Sequence, residues 1–445
     1  MILAANLAEK VFADHDLPPA PQPGLTPHSY SKKRHEMVNR RTVLTTAAGA
    51  VLGSMAGCAP HPEKRGRSDP GATASASHTS GKTHSVTATT PRVIGDGSTS
   101  DTGPQPHQPA AQRLKAGEEP PQFVVFSWDG SGKASLFARF RELSQQLNGS
   151  MTFFLSGIYL LPRSKRMLYR PPQHPVGASA IGYLSDNSIH GTISQLGPAW
   201  QEGHEIGTHF NGHFCGPDGV MKWSPADWDS EIDQAVNFVS NWRTNTGFTD
   251  LPTLPFDYRR ELIGGRTPCL QGQKNLLRAD RVQHWKYDSS GTGIQVWPKQ
   301  WANGLWKLPM QGIPFPGHSF EVISMDYNMM YNQSRTTQGD PAMHPTWKRQ
   351  ARDSFLAGFR RAYNGNRAPL IIGNHFENWN RGIYMDAVAE AAVEMAKYPS
   401  VRFVSFRQLV AWLEAQNADV LRRLRSLSVG EAPKGGWSAL LGDAI

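Results

Sequence analysis

From Phe123 to Leu413, short apolar runs alternate with amphipathic stretches, and this alternation constrains the fold more than any other feature of the chain. Phe123–Phe126, Met151–Leu155, His204–Ile206, Gly264–Arg266, Trp285–Asp288, Trp306–Met310, Val322–Met325, Leu370–Gly373 and Val401–Val404 read as strands. Between the first two, Leu136, Phe140, Leu143 and Leu147 recur at helical spacing, and Ile232, Val236, Val239 and Trp242 form a second such stripe. Helices are predicted over Asp227–Trp242, Thr346–Tyr363, Tyr384–Lys397 and Phe406–Leu413. Strands that alternate with helices argue for a parallel α/β architecture. In barrels of that kind the chemistry gathers at the C-terminal ends of the strands.

The large aromatic residues mark where the fold begins. Twelve of the 13 Trp lie between Trp128 and Trp412, the last is Trp437, and none precedes Trp128. The folded part is therefore expected to begin at about residue 122. Residues 59–121 are rich in Ser, Thr, Pro, Gly and His, with too little apolar surface to offset chain entropy; they read as a disordered tether.

Residues 37–58 read MVNRRTVLTTAAGAVLGSMAGC. Arg40 and Arg41 precede a run of small, weakly apolar residues too short to span a bilayer, ending at Cys58. The segment resembles a bacterial lipoprotein signal of the twin-arginine type. That resemblance implies cleavage before Cys58, diacylglycerol on its sulfur, and an exported protein anchored to the membrane on the extracytoplasmic side. Residues 1–36 read as an extension, either untranslated, with Met37 as the start, or disordered.

Charge and cysteine content narrow the function. The net charge of +9 would permit acidic polymers as partners. There is no basic stripe interleaved with aromatics, zinc-finger spacing or helix-turn-helix pattern, so nucleic acid is not expected. Three cysteines, Cys58, Cys215 and Cys269, cannot make a disulfide-rich scaffold or a four-cysteine zinc site. Cys215 and Cys269 are either a disulfide of an exported protein or two separate thiols. Ser131-Gly132-Lys133 lacks the glycine and the hydroxyl of a phosphate loop, and no Gly-x-Ser-x-Gly elbow occurs.

Three separated segments carry chemistry. Phe123–Phe126 runs into Ser127-Trp128-Asp129-Gly130, which puts Asp129 just past a strand end, where a lone Asp is ordinarily a turn residue or helix cap. GHEIGTHFNGHF, residues 203–214, holds His209 and His213 four apart, with Gly207 and Gly212 favouring a loop over a helix. Two imidazoles and one carboxylate would give a three-ligand site with a position left for water, the arrangement of a hydrolytic zinc ion. NRAPLIIGNHFENW, residues 366–379, places His375 after a strand.

In this order the segments resemble the motifs of the polysaccharide deacetylase (NodB-homology) family, in particular its chitin-deacetylase-like branch. Phe126-Ser127-Trp128-Asp129-Gly130 is similar to the first motif, His209 and His213 to the second, and Gly265-Arg266-Thr267-Pro268 to the third. WKYDSSG, residues 285–291, with Trp297-Pro298, looks like the fourth region, and the segment with His375 like the fifth. The resemblance spans residues 122–415, leaving 416–445 as a C-terminal tail, and implies a single-domain distorted (β/α) barrel that removes N-acetyl groups from a sugar polymer. It implies a divalent metal, Zn²⁺ first, on Asp129, His209 and His213. His375 would be the general acid, Arg266 the partner of the general base, and Trp297 and Trp379 would meet the sugar.

One position departs from the pattern. In the aligned first motif the general base falls on Trp128, which cannot accept a proton, and Arg266 is then left without its acidic partner. Glu377, with Asp326 behind it, is the substitute carboxylate. The expectation is a metal-dependent hydrolase acting on the N-acetylated polysaccharide of an envelope or matrix, peptidoglycan or chitin-like. The alternative is a carbohydrate-binding lipoprotein that keeps the barrel without catalysis.

Overall fold

The computed structural model describes residues 91–443. The expectations for the extension 1–36, the signal 37–58 with its lipidated Cys58, and the tether up to residue 90 lie outside the described residues.

Nine strands carry the architecture: β1 (Gln122–Gly130), β2 (Thr152–Leu155), β3 (Glu205–Thr208), β4 (Tyr287–Asp288), β5 (Trp306–Lys307), β6 (Met310–Pro314), β7 (Glu321–Ile323), β8 (Leu370–His375) and β9 (Val401–Phe403). The order β8-β1-β2-β3 is parallel throughout, with β9 beside the start of β1. The ring continues from β3 through the bridge Thr208–Gly265 to Ser289, whose N–H donates to the Gly265 carbonyl at 3.0 Å. It passes along the parallel pair β4–β5 and the antiparallel pair β6–β7, and closes on β8 through the bridge Met325–Gly373. This is the expected α/β barrel, distorted where short strands and one hairpin replace regular βα units.

The pleat of β1 decides what enters the barrel. Phe123 and Val125 point to an inner apolar cluster with Phe154, Tyr287, Met310 and Ile371. Val124, Phe126 and Trp128 point the other way, into the layer between strands and helices. Side chains alternate along a strand, so Ser127 and Asp129 belong to the inner face.

The outer helices are α1 (Ala134–Gln146), α2 (Asp186–Gln201), α3 (Pro225–Ser240), α4 (Asp326–Gln333), α5 (His344–Tyr363), α6 (Ile383–Met395) and α7 (Phe406–Ala415). Capping boxes start α3, at Ser224 and Asp227, and α7, at Ser405 and Gln408. The sequence reading missed α2 and α4. In α2, Gly191, Gly197 and Pro198 obscure a buried stripe of Ile189, Ile193, Leu196 and Trp200. Gly264–Arg266, expected as a strand, makes only a single bridge.

The stretch before β1 corrects the tether boundary. Residues 92–121 pack on the barrel: Arg92–Ile94 pairs with Thr99–Asp101, and the Trp242 indole donates to the Ser98 carbonyl at 2.8 Å. Gln105 donates to the carbonyls of Trp200 and His204 at 2.9 and 2.7 Å. These contacts are polar, which is why apolar content gave no sign of them. The tail also packs, through Val420, Leu424 and Leu441. Among the described residues no helix is long and apolar enough to cross a membrane.

Candidate active site

The C-terminal ends of β1, β3 and β8 bring Asp129, His209 and His375 to one end of the barrel. Asp129 and His375 are register partners on adjacent parallel strands, so their side chains leave the sheet side by side on one face.

Arg266 organises the floor of the site. Its side chain is fully buried, and Nη1 donates to Asp129 Oδ1 at 2.8 Å and to Ser127 Oγ at 2.9 Å. Nη2 donates to Ser289 Oγ at 2.9 Å. Burial alone would raise the Asp129 carboxyl. The Arg266 guanidinium and the neighbouring His375 outweigh it and hold Asp129 below the usual carboxylate range.

His375 is held the opposite way. Burial pulls its imidazole down, but Asp326 accepts at 2.8 Å from Nδ1 and at 2.7 Å from the backbone N–H. Together with the charges of Asp129 and Glu377, Asp326 pushes His375 up to about 9. An ionised carboxylate and an imidazolium thus stand next to each other at neutral pH.

His209 and His213 are neutral. Burial lowers both, His213 to about 3 with help from the charge of His375. The Nδ1 of His209 lies 2.8 Å from the Arg266 carbonyl, which only an Nδ1–H can satisfy, leaving Nε2 as a lone-pair acceptor. That Nε2 is buried with no hydrogen-bond partner among the described residues. The rings of His209 and His213 are 5.0 Å apart, in a loop where Phe210 and His213 take φ of 61° and 56°.

Several assignments change. Trp128 is not at the site: its indole is packed 3.7 Å from Phe140 and 5.1 Å from Phe376, with Nε1 on Met151 Sδ at 3.3 Å. The carboxylate that meets Arg266 is Asp129, so Arg266 does not lack an acidic partner. Oδ1 of Asp129 is thus committed to Arg266, while the Asp129 charge acts on both His209 and His213. Among the described residues the one His/Cys/Asp/Glu trio with ligand atoms all within 4.8 Å is His213, Cys215 and Cys269. In that trio the two cysteines are joined in a disulfide. Asp326 is committed to orienting His375, and Glu377 is ion-paired to Lys133 at 2.9 Å. Trp297 belongs to the core, stacked on Trp412 at 5.7 Å with its indole on the Asn366 carbonyl at 2.7 Å. Trp379 lies against His375 at 5.1 Å.

The residues present fit a divalent ion at the two imidazoles. The orphaned Nε2 of buried His209 is the observation for it. Sequence reasoning also missed Tyr169 and Glu231, which brace the histidine loop. Tyr169 Oη donates to Glu231 Oε1 at 2.9 Å and accepts from Gly212 N–H at 3.0 Å, and Glu231 Oε1 accepts from Asn211 N–H at 3.1 Å. Neither residue is close in sequence to the motif they serve, and no local signal marked them.

These elements define a barrel with a buried carboxylate–imidazole pair and two neutral imidazoles at its strand ends. No family model and no curated protein matches the chain. Solved structures do. A Mycobacterium smegmatis protein assigned as a polysaccharide deacetylase is similar at 14% identity over 68% of this chain and 95% of its own, with a TM-score of 0.40. A peptidoglycan deacetylase from Bacillus subtilis is similar at 10% identity over 66% and 92%, with a TM-score of 0.34. A CE4 family pseudoenzyme from Bacillus anthracis is similar at 7% identity over 69% and 71%, with a TM-score of 0.35.

Proposed function

We propose that this chain is a hydrolase that removes N-acetyl groups from an envelope or extracellular polysaccharide, peptidoglycan or chitin-like, with Asp129 as general base and His375 as general acid. The observation that carries the reading is their pairing in register, with Asp129 anchored on Arg266 and His375 on Asp326. A base must be ionised and an acid protonated at the working pH, and groups pushed apart by their surroundings meet both needs. Asp129, anchored through Oδ1 on Arg266, takes a proton from the attacking water. His375, oriented by Asp326, gives one to the departing amine.

His209 and His213 would hold a divalent ion, zinc before others; when bound it supplies polarisation of the acyl oxygen and a lowered water pKa. Trp379 beside His375 is suited to stack on a sugar face. A lipid anchor on Cys58 and an extracytoplasmic position complete the proposal. It needs no nucleic acid partner.

One observation favours a second reading, a carbohydrate-binding lipoprotein without catalysis: the aligned base position carries Trp128, packed on Phe140 and Phe376 and unable to take a proton. Acetate release from N-acetylated glycans with added Zn²⁺ or Co²⁺ separates the two. The wild type should release acetate, and Asp129→Asn should be slower by roughly 10²–10⁴-fold, the usual worth of a general base. Glycan binding with no acetate release from a metal-loaded wild type selects the binding protein.

A further inference from the structure

Between β2 and α2 the chain makes two short 3-10 turns, Gly157–Leu160 and Arg163–Leu168. Arg163, Lys165, Arg166 and Arg170 are all exposed, and so are Met167 and Leu168, at 57% and 52%. In the middle of this stretch Tyr169 is fully buried. It is the residue whose hydroxyl joins Glu231 to the Gly212 N–H between the two site histidines. A second tie, from Ala180 N–H to the Gly212 carbonyl at 2.8 Å, holds the same loop from the other side. The exposed stretch is thus pinned to the rim of the site by its one buried residue.

Several other surface cations meet carboxylates: Arg139 pairs with Asp386, Arg259 and Arg281 with Asp233, and Lys286 with Glu414. The four cations at 163–170 make no ion pair among the described residues, and no acidic residue interrupts them. Four unneutralised charges on a clamped turn raise the local concentration of a polyanion. Two uncovered apolar side chains among them offer contact to the CH face of a sugar.

We propose that this rim segment is a binding site for a polyanionic glycan, a chain whose repeating units carry carboxylates or phosphates, and that it selects such chains for the neighbouring site. The inference rests on the reading of Asp129 and His375 as a glycan-processing pair and names its substrate class.

The test is equilibrium binding to the full chain of hyaluronan, which is N-acetylated and carboxylate-bearing, and of neutral N-acetylchitohexaose. Vesicles containing phosphatidylglycerol form a third arm. Hyaluronan should bind more tightly than the neutral oligomer at low salt and lose that advantage as salt rises. Arg163→Glu, Lys165→Glu and Arg166→Glu combined should weaken hyaluronan about tenfold or more, three rim charges being reversed. The neutralising set Arg163→Gln, Lys165→Gln and Arg166→Gln guards against a folding defect and should weaken it in the same direction, with an unchanged melting temperature in each set. Equal binding of the two glycans, or hyaluronan binding indifferent to both sets, overturns the proposal. So does a loss confined to vesicles, which would make the segment a lipid contact. Acetate release is measured separately: its absence fails the deacetylase reading and leaves the binding result standing.

Discussion

Asp129 and Arg266, 137 positions apart in the sequence, form an ion pair at 2.8 Å with side chains 2% and 0% exposed. In so dry a place the pair is indivisible: either charge alone would be stranded. Asp129→Asn should therefore cost about 3–5 kcal/mol of stability in urea unfolding, and Arg266→Met a similar amount. The double variant Asp129→Asn/Arg266→Met should cost clearly less than the sum of the two. Additive losses would mean that the two side chains do not depend on each other.

Trp128 offers a direct contrast between the motif and the fold. If its position were that of a lost base, Trp128→Asp would restore chemistry. With the indole between Phe140 and Phe376 the same change buries a charge in the core, and it should abolish soluble folded protein. Trp128→Phe should be tolerated, and Trp128→Ala should cost about 3–5 kcal/mol in chemical denaturation.

The raised His375 carries a pH signature. Its folded value of about 9 lies above the ordinary imidazole value of 6.5, so its contribution to stability is complete below pH 6.5 and is lost as pH rises through 9. Melting temperatures across pH 6–10 should show this loss. Asp326→Asn should move the midpoint of His375, read by imidazole proton resonances, back towards the ordinary range. The basic limb of any acetate-releasing activity should move with it.

Glu231 is pushed by burial to about 7, although Tyr169 and Asn211 hydrogen-bond to it. Its folded value lies above that of an unfolded glutamate, so folding favours the protonated acid and stability falls as pH rises through 7. Glu231→Gln keeps an oxygen for Tyr169 and the Asn211 N–H and should raise stability at pH 8, as read by melting temperature. Glu231→Ala should release the histidine loop and lower divalent-ion affinity in calorimetric titration even where the barrel stays folded.

Cys215 and Cys269, 54 positions apart, tie the loop after His213 to the turn after Arg266. Closing a loop of that length restricts the unfolded chain, and reduction by a dithiol should cost about 2–4 kcal/mol, measured as a drop in the denaturation midpoint.

Local pattern carried much of the fold. Apolar runs at β1, β2, β8 and β9 and the stripes of α3, α5, α6 and α7 were legible because periodicity and capping are properties of neighbouring residues. α2 was not, because Gly191, Gly197 and Pro198 interrupt a buried face that is helical only in its context. Residues 92–121 escaped for a related reason: they are held by backbone, Gln and Ser hydrogen bonds to distant partners, which composition does not record.

At the site, the sequence by itself determined which residue types and which strand ends were available: a carboxylate at the end of β1, two histidines after β3, one at the end of β8. Only the tertiary structure decided their assignments. A one-residue step along a strand turns a side chain to the opposite face, so aligned letters could not say whether position 128 or 129 looks into the barrel. The pleat sends Trp128 into the helix layer and Asp129 onto Arg266, and the closing of the ring sets His375 beside it, because burial and charge depend on what lies across space rather than along the chain.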